Sequence, residues 1–229
     1  MKSVGHKTLE TMAFAKWYNK WLFSLIQPFL GNEILEVGAG IGNFTDLLSS
    51  VGNVTAIDVE RKYIDNLIVR SGRKISVGIG DIEKGTYFFK QKKFDTVVCL
   101  NVLEHINHDA DALENIYGLL KTSGKFILLV PAHKILFSNF DKELGHFRRY
   151  SKKEIEVKLK KVGFKEISVR YLNWWAAVGW FFFLKLLERN IMPKPPVVIF
   201  DVFGQLFLLP EKFIKMPFGL SVFAIAQKK

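Results

Sequence analysis

The stretch 34-ILEVGAGIGNFT-45 decides the fold of this chain. Apolar residues dominate 34–37, glycines follow at positions 38, 40 and 42, and Glu36 precedes the first glycine by two positions. A short apolar run that ends in a glycine cluster is typical of a strand followed by a loop whose backbone comes close to a ligand. The stretch therefore predicts a strand over 34–37, a ligand-binding loop after it, and a helix after the loop.

Outside this stretch, the sequence alternates apolar strands with helical segments. Further strands are predicted at "NVTAID" (53–58), "ISVGIG" (75–80), "FDTVVCL" (94–100), "FILLV" (126–130) and "SVFAIAQ" (221–227). Helices are predicted at 8–26, 61–69 and 109–120, and from the capping-box pair Ser151 and Glu154 to Gly163. Alternating strands and helices predict an α/β fold, with a mostly parallel sheet that carries helices on both faces.

The composition narrows the class of protein. The single cysteine, Cys99, lies in an apolar run, so we expect a buried structural thiol and no disulfide within the chain. The first twelve residues lack the apolar core of a signal peptide, which predicts a cytoplasmic protein. The formal net charge of +11 suits a nucleic acid, an anionic membrane surface or a phosphorylated substrate, and the charge does not choose among them.

Acidic residues at the strand ends indicate the kind of ligand. The loop has the pattern G-x-G-x-G, with Asn43 where a dinucleotide fingerprint has its last glycine, and Glu36 would repel a pyrophosphate. Asp58, twenty positions after the first glycine, is placed to accept hydrogen bonds from a ribose diol. Asp81 ends the next strand and could accept from an exocyclic amine. The predicted ligand is a nucleoside that carries a positive charge and no phosphate.

These motifs resemble those of the class I S-adenosylmethionine-dependent methyltransferases, over the range 34–165. "LEVGAGIGNFT" is similar to the family's first motif, "AID" to its second-strand acid, "GD" at 80–81 to its adenine contact, and "FDTVVCLNVLEHI" to its fourth-strand motif. The resemblance implies a Rossmann-like sheet of seven strands whose last strand is antiparallel. It also implies S-adenosylmethionine as cofactor, S-adenosylhomocysteine as product, and no metal.

The resemblance assigns the parts of the chain. We expect one methyltransferase domain over 1–229, made of an N-terminal helical lid (1–32), a cofactor-binding core (33–171), an apolar helical insertion (172–218) and the last strand (219–229). The residues expected to bind the cofactor are Glu36, Gly38, Ala39, Gly40, Gly42, Asp58, Val59, Asp81, Ile82 and Asn101.

The segments around the cofactor site supply candidates for catalysis and for binding the methyl acceptor. His146 is the first choice as general base, with Tyr150 and His133 as further candidates. Arg148 and Arg149 could hold an anionic acceptor, or could instead pair with Asp141 or Glu143. Tyr18 could belong to a lid over the cofactor that binds substrate, although the leading helix could equally cover the sheet.

The insertion is intensely apolar. "LNWWAAVGWFFFL" (172–184) is shorter than a membrane span, and lysines and arginines flank it. Three interpretations remain open: a substrate lid or homodimer contact, a peripheral membrane contact through 172–215, and plain core. The acceptor could accordingly be a small molecule, a lipid-linked molecule or a glycan, either anionic or apolar.

Two other functions are alternatives to this enzyme. A nucleic-acid methyltransferase is disfavoured, because "LNVLEH" lacks the proline that base-amino enzymes carry after the fourth strand, and Cys99 is badly placed for cytosine chemistry. A partner protein that binds the cofactor without turnover is the second alternative.

Overall fold

The computed structural model describes residues 4–70, 75–180, 204, 208–214 and 216–229, without the side chains of 178–180 and 212. Within these residues the sheet has eight strands, in the order β4-β3-β2-β1-β5-β6-β8-β7. The strands are β1 (Glu33–Val37), β2 (Asn53–Asp58), β3 (Ile75–Asp81), β4 (Thr86–Tyr87), β5 (Phe94–Leu100), β6 (Leu120–Pro131), β7 (Lys165–Leu172) and β8 (Ser221–Gln227).

Helices connect most of these strands. They are α1 (Val4–Met12), α2 (Lys16–Ile26), α3 (Thr45–Ser49), α4 (Arg61–Arg70), α5 (Asp109–Leu119), α6 (Asn139–Leu144), α7 (Lys152–Val162) and α8 (Trp174–Trp180). Two of the predicted helix ends are confirmed: the Ser151 side chain accepts from the Glu154 amide at the start of α7, and Gly163 ends it in the left-handed conformation.

The predicted α/β fold with an antiparallel last strand is confirmed. Strands β3, β2, β1, β5 and β6 are parallel, and β8 lies antiparallel between β6 and β7. The expected count of seven strands is one too low. The extra strand, β4, is a two-residue edge strand in which Tyr87 pairs with Gly80, after a turn that the Asp81 carboxylate closes by accepting from the amides of Glu83 and Lys84.

The prediction of one leading helix over 8–26 is wrong, since α1 ends at Met12 and α2 begins at Lys16. At the break, the Met12 carbonyl accepts from the Ala15 amide at 3.1 Å and from the Asn19 side chain at 3.2 Å. The break lets α1 pack on the glycine loop, where the Asn43 side chain donates to the Leu9 carbonyl, while α2 packs on the sheet.

The sheet is buried on both faces, as its apolar strands predict. Neighbouring residues Val97 and Val98 point to opposite sides, Val97 into a cluster with α5 and α7 and Val98 into a cluster with α2. Cys99 is fully buried, and burial raises the pKa of its thiol, which agrees with a structural role.

Most of the predicted insertion, 172–218, lies outside the described residues. Its first described helix, α8, begins where the Glu211 carboxylate accepts from the amides of Asn173 and Trp174, at 2.8 and 2.9 Å. In the described part of the chain, no helix combines the length and apolarity needed to cross a membrane.

Candidate active site

A cavity of about 830 Å³ opens at the carboxyl ends of the central strands. Of the ten residues predicted to bind the cofactor, nine line it: Glu36, Gly38, Ala39, Gly40, Asp58, Val59, Asp81, Ile82 and Asn101. They meet here because strand order reverses beside β1, which pairs with both β2 and β5.

The glycine loop needs its glycines for backbone geometry. Gly38, Gly40 and Gly42 all have positive φ, of 72°, 54° and 86°. A Cβ on Gly38 would lie 2.3 Å from the Val102 side chain, and one on Gly42 would lie 2.5 Å from the Leu67 side chain. Gly42 therefore packs against Leu67 of α4 and not against the cavity. It is the one predicted cofactor residue that does not line the cavity.

Glu36 places a carboxyl group on the cavity wall. Its residue is 6% exposed, and its Oε2 accepts from the Thr45 hydroxyl at 2.6 Å. Burial raises the pKa of Glu36 to about 8, and the nearby carboxylates of Asp46 and Asp58 add to the shift. No basic residue in the described ranges forms an ion pair with it. A buried carboxyl group in this setting suits a ligand that brings its own positive charge.

The two other predicted acids, Asp58 and Asp81, differ in how many of their acceptor positions are already used by the protein. The Asp58 oxygens accept from the amides of Gly40, at 2.8 Å, and Glu60, at 2.9 Å, so each retains one lone pair for a diol. One Asp81 oxygen accepts two amides of its turn, and the other lies 3.0 Å from the Lys84 ammonium. Asp81 therefore makes more polar contacts with the protein than Asp58 does, and has fewer acceptor positions left for a ligand.

The leading helices bound the same cavity. In α1, His6 stacks on Tyr63 with ring centroids 5.7 Å apart, and both residues line the cavity beside Asp58. In α2, Tyr18 is buried and lines the cavity, and its hydroxyl lies 2.8 Å from the Asn173 side chain. Tyr18 therefore lines the cavity, as a lid residue would, and also packs in the cluster between α2 and the sheet, as a residue of a covering helix would.

His146 lies on the cavity wall, on the side of β5 away from Asp58. Its Nδ1 is 2.9 Å from Asp141 Oδ1, and its Nε2 is 4.0 Å from Glu104 Oε1. The ring also meets His105 edge to face, with centroids 4.6 Å apart. Because Asp141 holds Nδ1, the other nitrogen is the one available for chemistry.

Glu104 is a site residue that the sequence prediction missed. It is 1% exposed and lines the cavity, and its Oε2 has no hydrogen-bond partner among the described residues. Burial raises the pKa of Glu104 to about 8, and burial together with His146 lowers the pKa of His105 to about 4. One ligand atom each from Glu104, His105 and His146 lie within 4.8 Å of one another, which makes these three the candidate metal ligands.

The predicted arginine pair does not form one anion site. Arg149 is 1% exposed and donates through Nε and Nη2 to both oxygens of Asp141, at 2.8 and 3.1 Å. Arg148 lies outside the cavity lining, with its Nη1 3.3 Å from the Asp109 carboxylate and its Nη2 donating to the Asn107 carbonyl. Arg149 therefore forms the salt bridge with Asp141 that the alternative predicted, whereas Arg148 pairs with Asp109.

The two further base candidates lie outside the cavity lining. Tyr150 is fully buried and donates its hydroxyl to Asp109 at 2.8 Å, and burial raises the pKa of its phenol. His133 packs on the Tyr171 ring at 4.6 Å. Both residues make contacts within the protein, and of the three candidates only His146 lines the cavity.

A second polar group on the cavity wall has no signal in the sequence. Asn173 follows β7 with a φ of 63°, and its Nδ2 donates to Tyr18 at 2.8 Å and to Ser221 at 3.3 Å. Asn173 meets Ser221 because β8 pairs beside β7, and it meets Tyr18 across a separation of 155 residues, so no local pattern could reveal these contacts. Glu104, by contrast, has a signal in the sequence, because it is an acid within the apolar segment that follows the end of β5.

The sequence matches a known family and several curated proteins. Residues 14–169 match the family described as a methyltransferase domain. A ubiquinone biosynthesis O-methyltransferase of Rickettsia felis is 33% identical over 100 residues, which cover 42% of this chain and 40% of that protein. An uncharacterized protein of Methanocaldococcus jannaschii is 34% identical over 97 residues, with the same two coverages. The chain thus matches about two fifths of the length of these curated relatives.

Solved structures share the fold. A SAM-dependent methyltransferase of Thermotoga maritima has a TM-score of 0.67 at 15% identity, over 97% of this chain and 95% of that one. Phosphoethanolamine N-methyltransferase 2 of Haemonchus contortus, in complex with S-adenosyl-L-methionine, has a TM-score of 0.63 at 18% identity, over 92% of this chain and 52% of that one. Since the family match covers more than half of the chain, this protein belongs to the methyltransferase domain family.

Proposed function

We propose that this chain is an S-adenosylmethionine-dependent methyltransferase that acts on a hydroxyl or amino group of a small-molecule or lipid-linked acceptor. The observation that carries the proposal is the composition of the cavity. Glu36 and Asp58 line it on one side, and Glu104, His105 and His146 line it on the other. A small acceptor is supported by the name of one similar protein, a ubiquinone biosynthesis O-methyltransferase, and by that of a protein with the same fold, a phosphoethanolamine N-methyltransferase.

The residues on the first side fit this cofactor. Glu36 offers its buried carboxyl group to a positive charge, and the remaining lone pairs of Asp58 suit the ribose diol. S-adenosylmethionine supplies a methyl group that is already activated by its positively charged sulfur. The protein therefore contributes mainly positioning and exclusion of water, which together can account for several kcal/mol of a reaction barrier, roughly 7–11 kcal/mol in well-oriented systems.

On the second side, the protein can remove a proton from the acceptor. His146 presents Nε2 to the cavity while Asp141 orients its ring, and Arg149 balances the charge of Asp141. A positioned base of this kind contributes about 10²- to 10⁴-fold in rate where the acceptor is a hydroxyl. An amine that is already neutral would depend on His146 much less.

We also propose that the acceptor is reached at an anionic membrane surface, through the insertion 172–215. Phe213 is 88% exposed, and Trp175, Ile214 and Phe218 are also exposed. Trp174 meets Phe218 edge to face, so part of this surface is continuous. The net charge of +11 favours an anionic lipid surface over a neutral one.

Calorimetry tests the cofactor assignment. S-adenosylmethionine and S-adenosylhomocysteine should bind, and NAD should not. Asp58→Ala should lose charge-assisted hydrogen bonds of about 1.5–3 kcal/mol, or roughly 10- to 150-fold in affinity. Asp65→Ala is the control, because this exposed carboxylate lies 4.0 Å from Arg61 and does not line the cavity. Tighter binding of NAD would overturn the assignment.

Transfer of a labelled methyl group to fractionated cell extract tests the acceptor class. We expect label in the small-molecule or lipid fraction. Label confined to nucleic acid would favour the nucleic-acid enzyme, and cofactor binding with no labelled fraction would favour the non-catalytic partner protein.

A further inference from the structure

We propose that Glu104, His105 and His146 bind a divalent transition-metal cation inside the cavity, and that this cation activates the acceptor. Its chemical role rests on the proposed function, but its binding does not. The inference departs from the metal-free site that the family resemblance implies.

The three side chains are close to a binding arrangement already. One ligand atom from each lies within 4.8 Å of the other two, and His146 Nε2 is 4.0 Å from Glu104 Oε1. Bonds of about 2.0–2.2 Å to one cation allow ligand atoms up to roughly 4.4 Å apart. Small side-chain rotations would therefore complete the set.

The His146 imidazole is oriented by a hydrogen bond to the protein. Its Nδ1 lies 2.9 Å from Asp141 Oδ1, and the His105 ring packs on it edge to face, with centroids 4.6 Å apart. Metal-binding histidines characteristically use one ring nitrogen in this way and present the other to the cation. Asp141 is itself fixed, because the amide and hydroxyl of Ser138 both donate to its Oδ2 at 2.9 Å.

The charges of the site also favour a cation. Glu104 Oε2 is buried, and no partner for it is present in the described ranges. A buried carboxyl oxygen without a partner is costly, and a bound cation would satisfy it. The positive charge of Arg149 is nearby, but it is matched by both oxygens of Asp141.

Two imidazoles and one carboxylate suit borderline divalent cations such as Zn²⁺, Fe²⁺ or Co²⁺. Three protein ligands leave at least one coordination position open to the cavity, where an acceptor hydroxyl can bind. The cation would lower the pKa of that hydroxyl, so that its O–H bond breaks, the electron pair stays on oxygen and the proton leaves to water. His146 Nε2 would then be a ligand, and the cation would take over its role in activation.

Cobalt provides a probe that does not depend on the acceptor. Protein stripped with EDTA is titrated with Co²⁺, and binding is followed by calorimetry and by visible absorption. We expect one equivalent to bind to the wild-type chain. Glu104→Gln and His146→Gln should each weaken binding at least tenfold and alter the absorption bands. Should either variant fail to fold, His105→Gln provides the same measurement.

The matched control is a histidine–glutamate pair on the surface. Glu83 and His108 lie 2.7 Å apart, with the His108 side chain 67% exposed, and they contain the same ligand types without the third. His108→Gln should leave Co²⁺ binding unchanged, because His108 does not line the cavity. No binding to the wild-type chain at millimolar Co²⁺, or equal binding to Glu104→Gln, would overturn the proposal. S-adenosylmethionine affinity, measured on the same samples, separates this failure from a failure of the proposed function.

Discussion

Replacing Asp141 by Asn should strongly destabilise this protein. The carboxylate is fully buried and accepts from Arg149 Nε and Nη2, from the amide and hydroxyl of Ser138, and from His146. Asparagine removes the charge and turns one acceptor into a donor, which leaves the buried Arg149 guanidinium without its counter-charge. Breaking a buried ion pair in this way costs about 3–5 kcal/mol. For a chain of this size that predicts a fall of roughly 6–20 °C in the melting temperature.

Urea and thermal unfolding measure the loss. Asp46→Asn is the matched control, because Asp46 pairs with Arg70 at 3.0 Å on the exposed surface, and such pairs contribute about 0–1 kcal/mol. A loss from Asp141→Asn no greater than that of the control would refute the reasoning. It would mean that the contacts around Asp141 contribute no more than a surface pair does.

The pH dependence gives the same prediction an independent check. Burial opposes ionisation of Asp141, but hydrogen bonds from His146 and the charge of Arg149 outweigh it, so the pKa of Asp141 lies below its ordinary value of 3.8. A carboxylate whose pKa is lowered by folding stabilises the protein above its unfolded pKa, and that contribution is lost as pH falls through the folded pKa. The difference between wild type and Asp141→Asn should therefore be full at neutral pH and should shrink only below about pH 4.

Three further outcomes are expected. Glu36→Gln should weaken S-adenosylmethionine binding more than S-adenosylhomocysteine binding in calorimetry, because only the former carries the sulfonium charge; equal losses would contradict the role given to Glu36. Arg148→Gln should leave kcat/KM for the identified acceptor unchanged, because the side chain lies outside the cavity lining; a tenfold fall would restore it as an acceptor contact. Phe213→Ser should reduce flotation of the chain with anionic liposomes, with exposed Val69→Ser as control; concentration-dependent dimerisation without flotation would favour the dimer contact.

The cofactor side of the cavity was predictable because its residues follow strand ends. Glu36 and Asp58 lie at the carboxyl ends of two short apolar runs that predict strands. Parallel pairing of these strands brings both ends to the same edge of the sheet. The edge strand β4 and the helix break after Met12 were not predictable in this way. The first depends on a two-residue pairing, and the second on a side-chain contact from Asn19 that a helical pattern does not reveal.

The second side was harder to predict because its parts come from distant segments. Glu104 and His146 are far apart in sequence, and their approach depends on how α6 begins and ends. Ser138 and Asp141 form a capping box at its start, and Gly145 ends it in the left-handed conformation, immediately before His146. The sequence pattern suggested His146, but the partners that determine its chemistry required the tertiary structure.

The surroundings of Arg149 also change the kind of acceptor that we favour. The sequence leaves an anionic or an apolar acceptor open, and the anionic one depends on Arg148 and Arg149 as its binding residues. In the structure Arg149 is matched by Asp141, and Arg148 lies outside the cavity lining. The other basic side chains among the described lining residues, Lys62 and Lys84, lie near Glu60 and Asp81 on the cofactor side. With Glu104 and two imidazoles on the other side, this half of the cavity suits a hydroxyl or amino acceptor without a negative charge at the reacting group.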